Sequence, residues 1–285
     1  MKKYFVLLML SLLALTLVGC GSNKDGANKD SKVKVIEIPL TDEEYAFGVD
    51  KNQPELLETV NEFIEEIKED GTFEEILNNY FGDGEAKGIE SAELDSSKDQ
   101  LVVATNAGFE PFEYTKGDKY YGIDMEIAAL LAKKLDKELV ISNMDFDAVV
   151  LSIGEGKADI AMAGLTVRED RKEHVDFSIS YYDAAQMIIT KESDTSFDNV
   201  KTPEDVVAII SEKDSNFKVG VQTGTTAQFF VEGDEDWEFE GFDATCVGYK
   251  SGSLAVQDML NGNIDLVVID EAPAKSISEA MNDLN

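Results

Sequence analysis

The stretch GLTVREDRKEHVDFS, residues 164–178, carries the chemistry around which the chain is organised. It follows an apolar run at residues 158–163, which predicts a buried strand. Thr166 stands three residues before Glu169, the spacing of a helix N-terminal capping box, and Arg171 follows shortly after. A strand end, a hydroxyl, helix-start N–H groups and a guanidinium together suit a small carboxylate. The alternative is an ordinary capped helix that carries a surface arginine.

Strand and helix patterns alternate through the rest of the chain, which predicts an α/β fold with mainly parallel sheets. The predicted strands cover residues 33–40, 45–49, 101–105, 138–143, 159–163, 187–191, 218–222, 246–248 and 264–269. The predicted helices after residue 100 cover 124–135, 147–155, 225–231, 253–260 and 273–281, and another begins at 202–205. We predict two lobes that are connected near residues 41–45 and 181–185.

The region before residue 100 predicts two helices and a linker. Pro54 opens the first helix at its favoured position, and Gly71 ends it. Thr72 and Glu75 have the spacing of a second capping box, which predicts a short following helix. Residues 83–99 are polar, acidic and small, and we expect a linker there.

The amino terminus has the pattern of a lipoprotein signal peptide at residues 1–20. A basic start precedes an apolar run at residues 4–18, which is too short to span a bilayer comfortably. The tetrapeptide LVGC, residues 17–20, resembles a bacterial lipobox, and this resemblance implies cleavage before Cys20 and attachment of a lipid to its sulfur. Residues 21–32 predict a flexible tether. A plain secretory signal with a chance cysteine is the alternative.

Composition excludes several classes of function. A formal net charge of −33 excludes nucleic acid as a partner, because phosphate binding needs basic patches. With Cys20 acylated, Cys246 has no cysteine to pair with, and we expect it to be a buried core thiol. The lone His174 is read as a surface residue at a helix end. No Cys/His cluster has zinc spacing, so no metal or other cofactor is predicted.

Five further stretches together resemble the polar amino-acid-binding proteins that serve ABC importers. They are LVVATNAGFEPFEY (101–114), YGIDMEIAALLAKKL (121–135), MDFDAVVLSIGEGKADIAMAGLTVREDRKEHVDFSISYY (144–182), VGVQTGTTAQ (219–228) and NGNIDLVVIDEAPA (261–274). The resemblance implies a two-lobed periplasmic-binding-protein fold of type 2, closing on an amino acid about two hinge crossovers. It implies a monomer that delivers its ligand to a membrane permease, and the lipobox resemblance implies that a lipid anchors this monomer on the outer face of the cell membrane.

The order of these stretches differs from that of the family. Residues 33–82 resemble the family's carboxyl-terminal segment, yet here they come first, which implies a circular permutation of a solute-binding domain at 33–285. Lobe 1 then comprises 45–81 and 101–180, lobe 2 comprises 185–285 and 33–40, and the linker is 83–100. A piece of two tandem domains is the alternative. The permutation predicts that Asn285 lies near Val33, since domain ends are often close together.

The resemblance also implies roles for particular residues. For the ligand carboxylate we expect Arg171, the Thr166 hydroxyl and the N–H groups around Gly164 and Thr166. The second lobe is expected to add N–H donors from a helix start, namely those of Gly224, Thr225 and Thr226.

For the ligand ammonium we expect Asp270, at the carboxyl end of a predicted strand; its alternative role is to cap the next helix. Phe109 and Phe146 are expected to form flat walls, although core packing explains them equally well. Asn106 and Gln222 are the predicted polar contacts for the ligand side chain. In lysine- and arginine-type relatives the position of Asn106 is typically acidic, so its neutrality favours glutamine, another neutral polar amino acid or cystine.

Two other classes of function stay open at this point. A few members of this fold resemble the chain yet act as dehydratases on cyclic acids, which needs a general acid or base in the cleft. Glu113 is the nearest candidate carboxylate by sequence. The second is a sensory module that reports ligand binding to a membrane receptor.

Overall fold

The computed structural model describes residues 32–235 and 239–284. The predicted signal peptide with Cys20, almost all of the predicted tether, and Asn285 lie outside these residues. Within the described ranges no helix has the length and apolar character needed to cross a bilayer.

The order of strands and helices in the structure agrees closely with the alternation that the sequence predicts. The strands are β1 (Val33–Ile36), β2 (Glu43–Tyr45), β3 (Gly48–Asp50), β4 (Gln100–Thr105), β5 (Gly108–Phe109), β6 (Glu113–Lys116), β7 (Lys119–Tyr121), β8 (Glu138–Asn143), β9 (Ile160–Ala161), β10 (Val175–Phe177), β11 (Tyr182–Ala184), β12 (Gln186–Lys191), β13 (Lys218–Gln222), β14 (Thr245–Tyr249) and β15 (Leu266–Asp270). The helices are α1 (Pro54–Glu69), α2 (Thr72–Phe81), α3 (Ile123–Lys134), α4 (Phe146–Gly154), α5 (Glu169–Lys172), α6 (Pro203–Ser211), α7 (Thr226–Glu232), α8 (Gly252–Leu260) and α9 (Glu271–Asp283).

The described strands form two larger sheets with the same pattern of directions. The first sheet has the order β10-β3-β9-β4-β8, and the second has the order β1-β12-β15-β13-β14. Four strands of each sheet run in one direction, whereas β3 in the first and β12 in the second run against them. The prediction of two α/β lobes with mainly parallel sheets is confirmed.

The chain passes between the two sheets at β2 and at β11. These strands pair antiparallel with each other, and Tyr45 lies opposite Tyr182. Both crossovers therefore lie side by side, where residues 41–45 and 181–185 were expected to connect the lobes. Such paired crossovers can act as a hinge, because a few backbone rotations at element ends move a whole lobe.

Aromatic side chains pack around this hinge. The ring of Phe47 stacks on Tyr181 with centroids 4.4 Å apart, and Tyr45 meets Phe112 edge-on at 5.1 Å. All four side chains are buried. Each such burial contributes roughly 1.5–3 kcal/mol, so the hinge strands are held firmly against the first lobe.

The predicted capping box at Thr72 is wrong. The preceding Gly71 takes a left-handed conformation with φ of 86°, and this places Thr72 inside α2 as its first residue, with no side-chain cap. The carboxylate of Asp70 instead accepts the Thr72 N–H at 2.8 Å. By contrast, α6 begins as expected, because Thr202 and Asp205 form a reciprocal capping box.

Residues 83–99 lie against the first sheet and its neighbours without forming a helix. Ile89 forms an antiparallel bridge with Tyr120, and the Ala92 N–H donates to the Leu139 carbonyl at 2.8 Å. The predicted linker is therefore anchored along its course. Cys246 was expected to be buried, but it is half-buried, because β14 is the edge strand of the second sheet. This partial burial, with nearby Glu232, raises the pKa of its thiol to about 12.

The last described helix lies against the first strand. The Asn282 side-chain amide donates to the Val33 carbonyl and accepts the Val33 N–H, each at 2.9 Å. Asn282 stands 249 residues from Val33 in sequence, so the two ends of the described chain meet at the edge of the second sheet.

Candidate functional site

The structure brings all ten predicted site residues together where the two sheets face one another. One small cavity has as its lining Phe109, Phe146, Gly164, Thr166, Arg171, Gln222, Thr225, Thr226 and Asp270. Asn106 joins this group through a hydrogen bond to Gln222. The cavity has a volume of about 10 Å³, room for about one water molecule. The cleft is therefore closed in this structure, and an amino acid needs it to open.

Arg171 is a buried cation whose partners are carbonyl groups. Only 6% of it is exposed, and its guanidinium donates to the carbonyls of Thr166 (2.8 Å) and Gly224 (3.2 Å). It lies 5.4 Å from the centroid of the Phe146 ring. Burial, with Arg168 nearby, lowers the pKa of Arg171 to about 10, so it stays protonated at neutral pH. Among the described residues no carboxylate lies within ion-pair distance of it.

The predicted capping box at Thr166 is wrong. Helix α5 begins at Glu169 after Arg168, and it has no side-chain cap. The reason is that the Thr166 backbone forms an antiparallel bridge with Tyr45, which keeps it extended. Its hydroxyl donates to the Glu43 carboxylate at 2.6 Å and accepts from the Thr226 hydroxyl at 3.1 Å.

Three of the expected N–H donors already have partners in this closed arrangement. The Gly164 N–H donates to Asp124 at 3.0 Å, the Gly224 N–H to Gln228 at 2.8 Å, and the Thr225 N–H to the Gln222 carbonyl at 3.4 Å. A helix start predicts free donors only when nearby side chains and turns leave them unused.

The backbone conformation and the close packing at residue 164 require a glycine. Its φ of 53° is left-handed, and a Cβ there would lie 3.0 Å from the Phe109 ring. The glycine therefore lets an aromatic wall approach the backbone at the end of β9.

Asp270 is the buried acid of the cavity. It ends β15 and precedes α9, yet its side chain makes no cap to that helix, so the alternative role as a capping residue is not observed. The Tyr45 hydroxyl donates to it at 2.6 Å. Burial, together with the charge of Glu43, raises the pKa of Asp270 to about 7. A carboxyl group in this state can gain or lose its proton near neutral pH.

Two further buried acids that the sequence reasoning did not place in the site, Glu43 and Asp124, accept hydrogen bonds from the cavity residues Thr166 and Gly164. Glu43 accepts hydrogen bonds from Thr166 and from the Gln186 amide. Asp124 accepts from the Tyr181 hydroxyl at 2.6 Å, and burial raises its pKa to about 7. No local signal reveals these pairs, since Tyr45 and Asp270 are separated by 225 residues in sequence.

Glu113, the candidate acid for catalysis, does not line the cavity. Its side chain is fully buried, and both carboxylate oxygens lack a hydrogen-bond partner among the described residues. Burial, and then the charges of Asp124 and Asp270, raise its pKa well above the usual range. Glu113 is therefore a buried acid outside the cavity lining.

Two amide side chains meet across the cleft near the aromatic walls. The Asn106 Nδ2 donates to the Met144 carbonyl at 2.6 Å, and the Gln222 Nε2 donates to the Asn106 Oδ1 at 2.9 Å. The Gln222 Oε1 is buried and has no partner in the described part of the chain.

A second contact between the lobes lies beside the cavity. Arg168 donates to Asp234 at 2.8 Å, both side chains are buried, and the guanidinium lies 4.0 Å from the centre of the Phe229 ring. This ion pair, which sequence reasoning missed, joins the first lobe to the end of α7. We call Arg168 and Asp234 the latch pair.

A larger surface hollow of about 580 Å³ lies elsewhere, among residues that include Asn52, Gln53 and Leu135. It involves the first lobe alone and is lined by none of the predicted site residues. The small cavity is the better candidate, because the buried groups Arg171 and Asp270, which can carry opposite charges, line it from the two lobes.

Comparisons with known proteins agree with this geometry. The chain is 30% identical over 203 residues to the arginine-binding extracellular protein ArtP of Bacillus subtilis, covering 70% of this chain and 72% of that protein. It is 31% identical over 173 residues to a probable histidine-binding protein of Neisseria gonorrhoeae, covering 60% of this chain and 58% of that protein. A solved ancestral arginine-binding protein bound to arginine matches with a TM-score of 0.55 at 32% identity, over 65% of this chain and 76% of that one.

Two separate parts of the chain, residues 16–83 and 101–272, match one protein family. These parts together cover most of the sequence and leave out residues 1–15, 84–100 and 273–285. The chain therefore belongs to the bacterial extracellular solute-binding proteins, family 3.

Proposed function

We propose that this protein captures a polar amino acid in the cavity between its lobes and delivers it to an ABC importer. The observation that carries the proposal is the buried pair of opposite charges, Arg171 and Asp270, on the wall of one closed cavity. A zwitterionic ligand offers each of them a counter-charge. Buried charges are costly unless they are paired, so the site favours such a ligand.

The ligand carboxylate binds Arg171. In the closed structure this guanidinium donates to the Thr166 and Gly224 carbonyls, which are weaker partners than a carboxylate. The planar donor fork can instead hold a carboxylate through two parallel hydrogen bonds, with the Thr166 and Thr226 hydroxyls close by.

The ligand ammonium binds Asp270. A positive charge beside this carboxyl group favours its ionised form and reverses the effect of burial. The Tyr45 hydroxyl, which donates to the same carboxylate, holds it in place at the hinge. Ligand binding and hinge position are thus linked through one residue.

Capture requires the lobes to open and close. The cavity of about 10 Å³ is far smaller than an amino acid, so the ligand enters an open form. The paired strands β2 and β11 are the natural hinge. The closed, loaded form then docks on the permease.

The arginine- and histidine-binding names of the relatives support a polar amino acid as ligand. They favour a cationic side chain, whereas the neutrality of Asn106 favours a neutral one. We propose the broader class, polar amino acids.

We further propose that Cys20 carries a lipid that anchors a monomeric protein on the outer face of the cell membrane. The sequence LVGC, followed by the small polar stretch of residues 21–32, supports this arrangement.

We also propose that the domain spans residues 33–285 in circularly permuted order, with the lobes and the linker at 83–100 as predicted. The hydrogen bonds between Asn282 and Val33 support it, because a permuted chain must open its new ends side by side.

Binding is favoured over catalysis by the relatives, which carry the names of amino-acid-binding proteins. The candidate acid for catalysis, Glu113, lies outside the cavity lining.

Thermal unfolding of the full chain in the presence of each of the twenty amino acids and cystine tests the proposal. A ligand that binds only the folded state raises the midpoint, by an amount that grows with ligand concentration. We expect one or a few polar amino acids to raise it. No change with any of them, in a protein that melts cooperatively, would contradict amino-acid binding.

A further inference from the structure

We infer that the ligand's side chain donates a hydrogen bond to the Oε1 of Gln222. This inference rests on the proposed function and narrows it to amino acids whose side chains carry a hydrogen-bond donor. Glutamine, arginine, histidine and lysine meet the requirement, whereas glutamate and other acceptor-only side chains do not.

The first step is the orientation of the two amides. The Met144 carbonyl can only accept, so the Asn106 group that faces it at 2.6 Å is the donor Nδ2. The Asn106 Oδ1 therefore points to Gln222 and accepts from its Nε2 at 2.9 Å. Reversing either amide would bring two acceptors or two donors together.

The position of Met144 makes this orientation stable. Its N–H donates to the Thr105 carbonyl at 3.0 Å, which fastens it to the end of β4. The Met144 carbonyl therefore orients the Asn106 amide, and the Asn106 amide orients the Gln222 amide. This leaves the Gln222 Oε1 without a hydrogen-bond partner among the described residues.

The second step is the state of that atom. Gln222 lines the cavity, only 2% of it is exposed, and its Oε1 has no hydrogen-bond partner among the residues the structure describes. A buried acceptor without a donor is unfavourable. A ligand donor at this point removes the deficit, whereas a ligand acceptor adds repulsion between lone pairs.

The third step is the placing of the ligand. Arg171 and Asp270 hold the backbone groups, and the aromatic walls Phe109 and Phe146 belong to the same cavity. Gln222 is the cavity residue that is left with an unused acceptor, so it is available to contact the side chain.

Isothermal titration calorimetry on the full chain tests the inference. The donor ligands are L-glutamine, L-arginine, L-histidine and L-lysine, and the acceptor-only ligands are L-glutamate and the neutral L-methionine sulfone. We expect the tightest donor ligand to bind at least about tenfold more tightly than either acceptor-only ligand, the effect of leaving a buried acceptor unpaired.

The variant Gln222→Met removes the acceptor and keeps a side chain of similar length. We expect it to reduce the preference for the donor ligand over methionine sulfone by about tenfold. Gln257→Met, the same change at an exposed residue of α8, should leave the preference intact.

The inference would be overturned if an acceptor-only ligand bound the unaltered protein as tightly as the best donor ligand. Amino-acid binding itself would still hold in that case. A preference that persists in Gln222→Met would also overturn the inference. Failure of all six ligands to bind the unaltered protein would overturn the inference. It would overturn the proposed function as well if none of the twenty amino acids or cystine raises the unfolding midpoint.

Discussion

At the scale of single residues, Arg171 is the clearest example of a charged group that the fold buries at a cost in desolvation free energy. Its guanidinium loses its hydration on folding, and among the described residues its hydrogen-bond acceptors are two backbone carbonyls, which compensate only part of that loss. The lowered pKa reports this cost. A buried cation that has no anionic partner in ion-pair range among the described residues can bind the carboxylate of a ligand.

We predict that Arg171→Ala weakens binding of the preferred amino acid at least a hundredfold. Each charge-assisted hydrogen bond to the ligand carboxylate is worth roughly 1.5–3 kcal/mol, against about 8 kcal/mol for a micromolar complex. Titration calorimetry measures the loss. The control is Lys172→Ala, which removes an exposed neighbouring cation that pairs with Glu169. An affinity of Arg171→Ala within threefold of the original would contradict the carboxylate assignment.

At the scale of elements, the lobes are held closed by contacts between the loop after β9 and the start and end of α7. The Thr226 and Thr166 hydroxyls meet at one end of this helix, and the latch pair, Arg168 and Asp234, joins its other end to the first lobe. The latch pair is buried and is stacked on Phe229, so it is shielded from water and salt. Its geometry depends on closure, because its two residues belong to different lobes.

We predict that Asp234→Asn speeds ligand dissociation about tenfold or more, without direct contact with the ligand. Breaking a buried charge pair acts mainly on the dissociation rate. Stopped-flow measurement of ligand release tests it. A matched control is Asp145→Asn, because Asp145 forms an ion pair with Lys250 across the same cleft, but at exposed positions where such pairs contribute little. Equal dissociation rates for both variants would show that the latch pair does not stabilise the closed form.

At the scale of the whole molecule, a strongly acidic chain concentrates buried carboxyl groups at its hinge. Asp124 and Asp270 both have a pKa of about 7 in the folded protein, raised mainly by burial. In the unfolded chain these groups return to ordinary values near 4. These two groups therefore bind more protons in the folded protein than in the unfolded chain between about pH 4 and pH 7.

We predict that the free energy of unfolding, without ligand, falls by a few kcal/mol as the pH rises from 5 to 8. The sign follows from the raised pKa values: the stability contribution is complete below about pH 4 and is lost as the pH passes the folded value near 7. Urea unfolding at each pH measures it. The double variant Asp124→Asn with Asp270→Asn keeps the acceptors for both tyrosines and should flatten the dependence. A stability that rises over this range, or an unchanged slope in the double variant, would contradict the prediction.

Much of the architecture could be predicted from local patterns. Apolar periodicity located the helices to within a residue or two, as for α3 and α4, because a helix or strand face must match the core that it covers. The set of cavity residues was predicted through the resemblance to a family, and their positions at strand ends and helix starts agree with where α/β folds bind ligands. The capping boxes at Thr72 and Thr166 were wrong, because spacing alone does not determine whether a hydroxyl turns toward its own helix.

The sequence by itself determined the family, the order of elements and the types of charge that line the cavity. Only the tertiary structure decided how those charges are partnered. Tyr45 reaches Asp270, Arg168 reaches Asp234, and Gln222 reaches Asn106 over separations of 66 to 225 residues. The physical reason is that periodicity is a local property of the chain, whereas the hydrogen-bond partner and the proton affinity of a buried group depend on which distant segments exclude water from it.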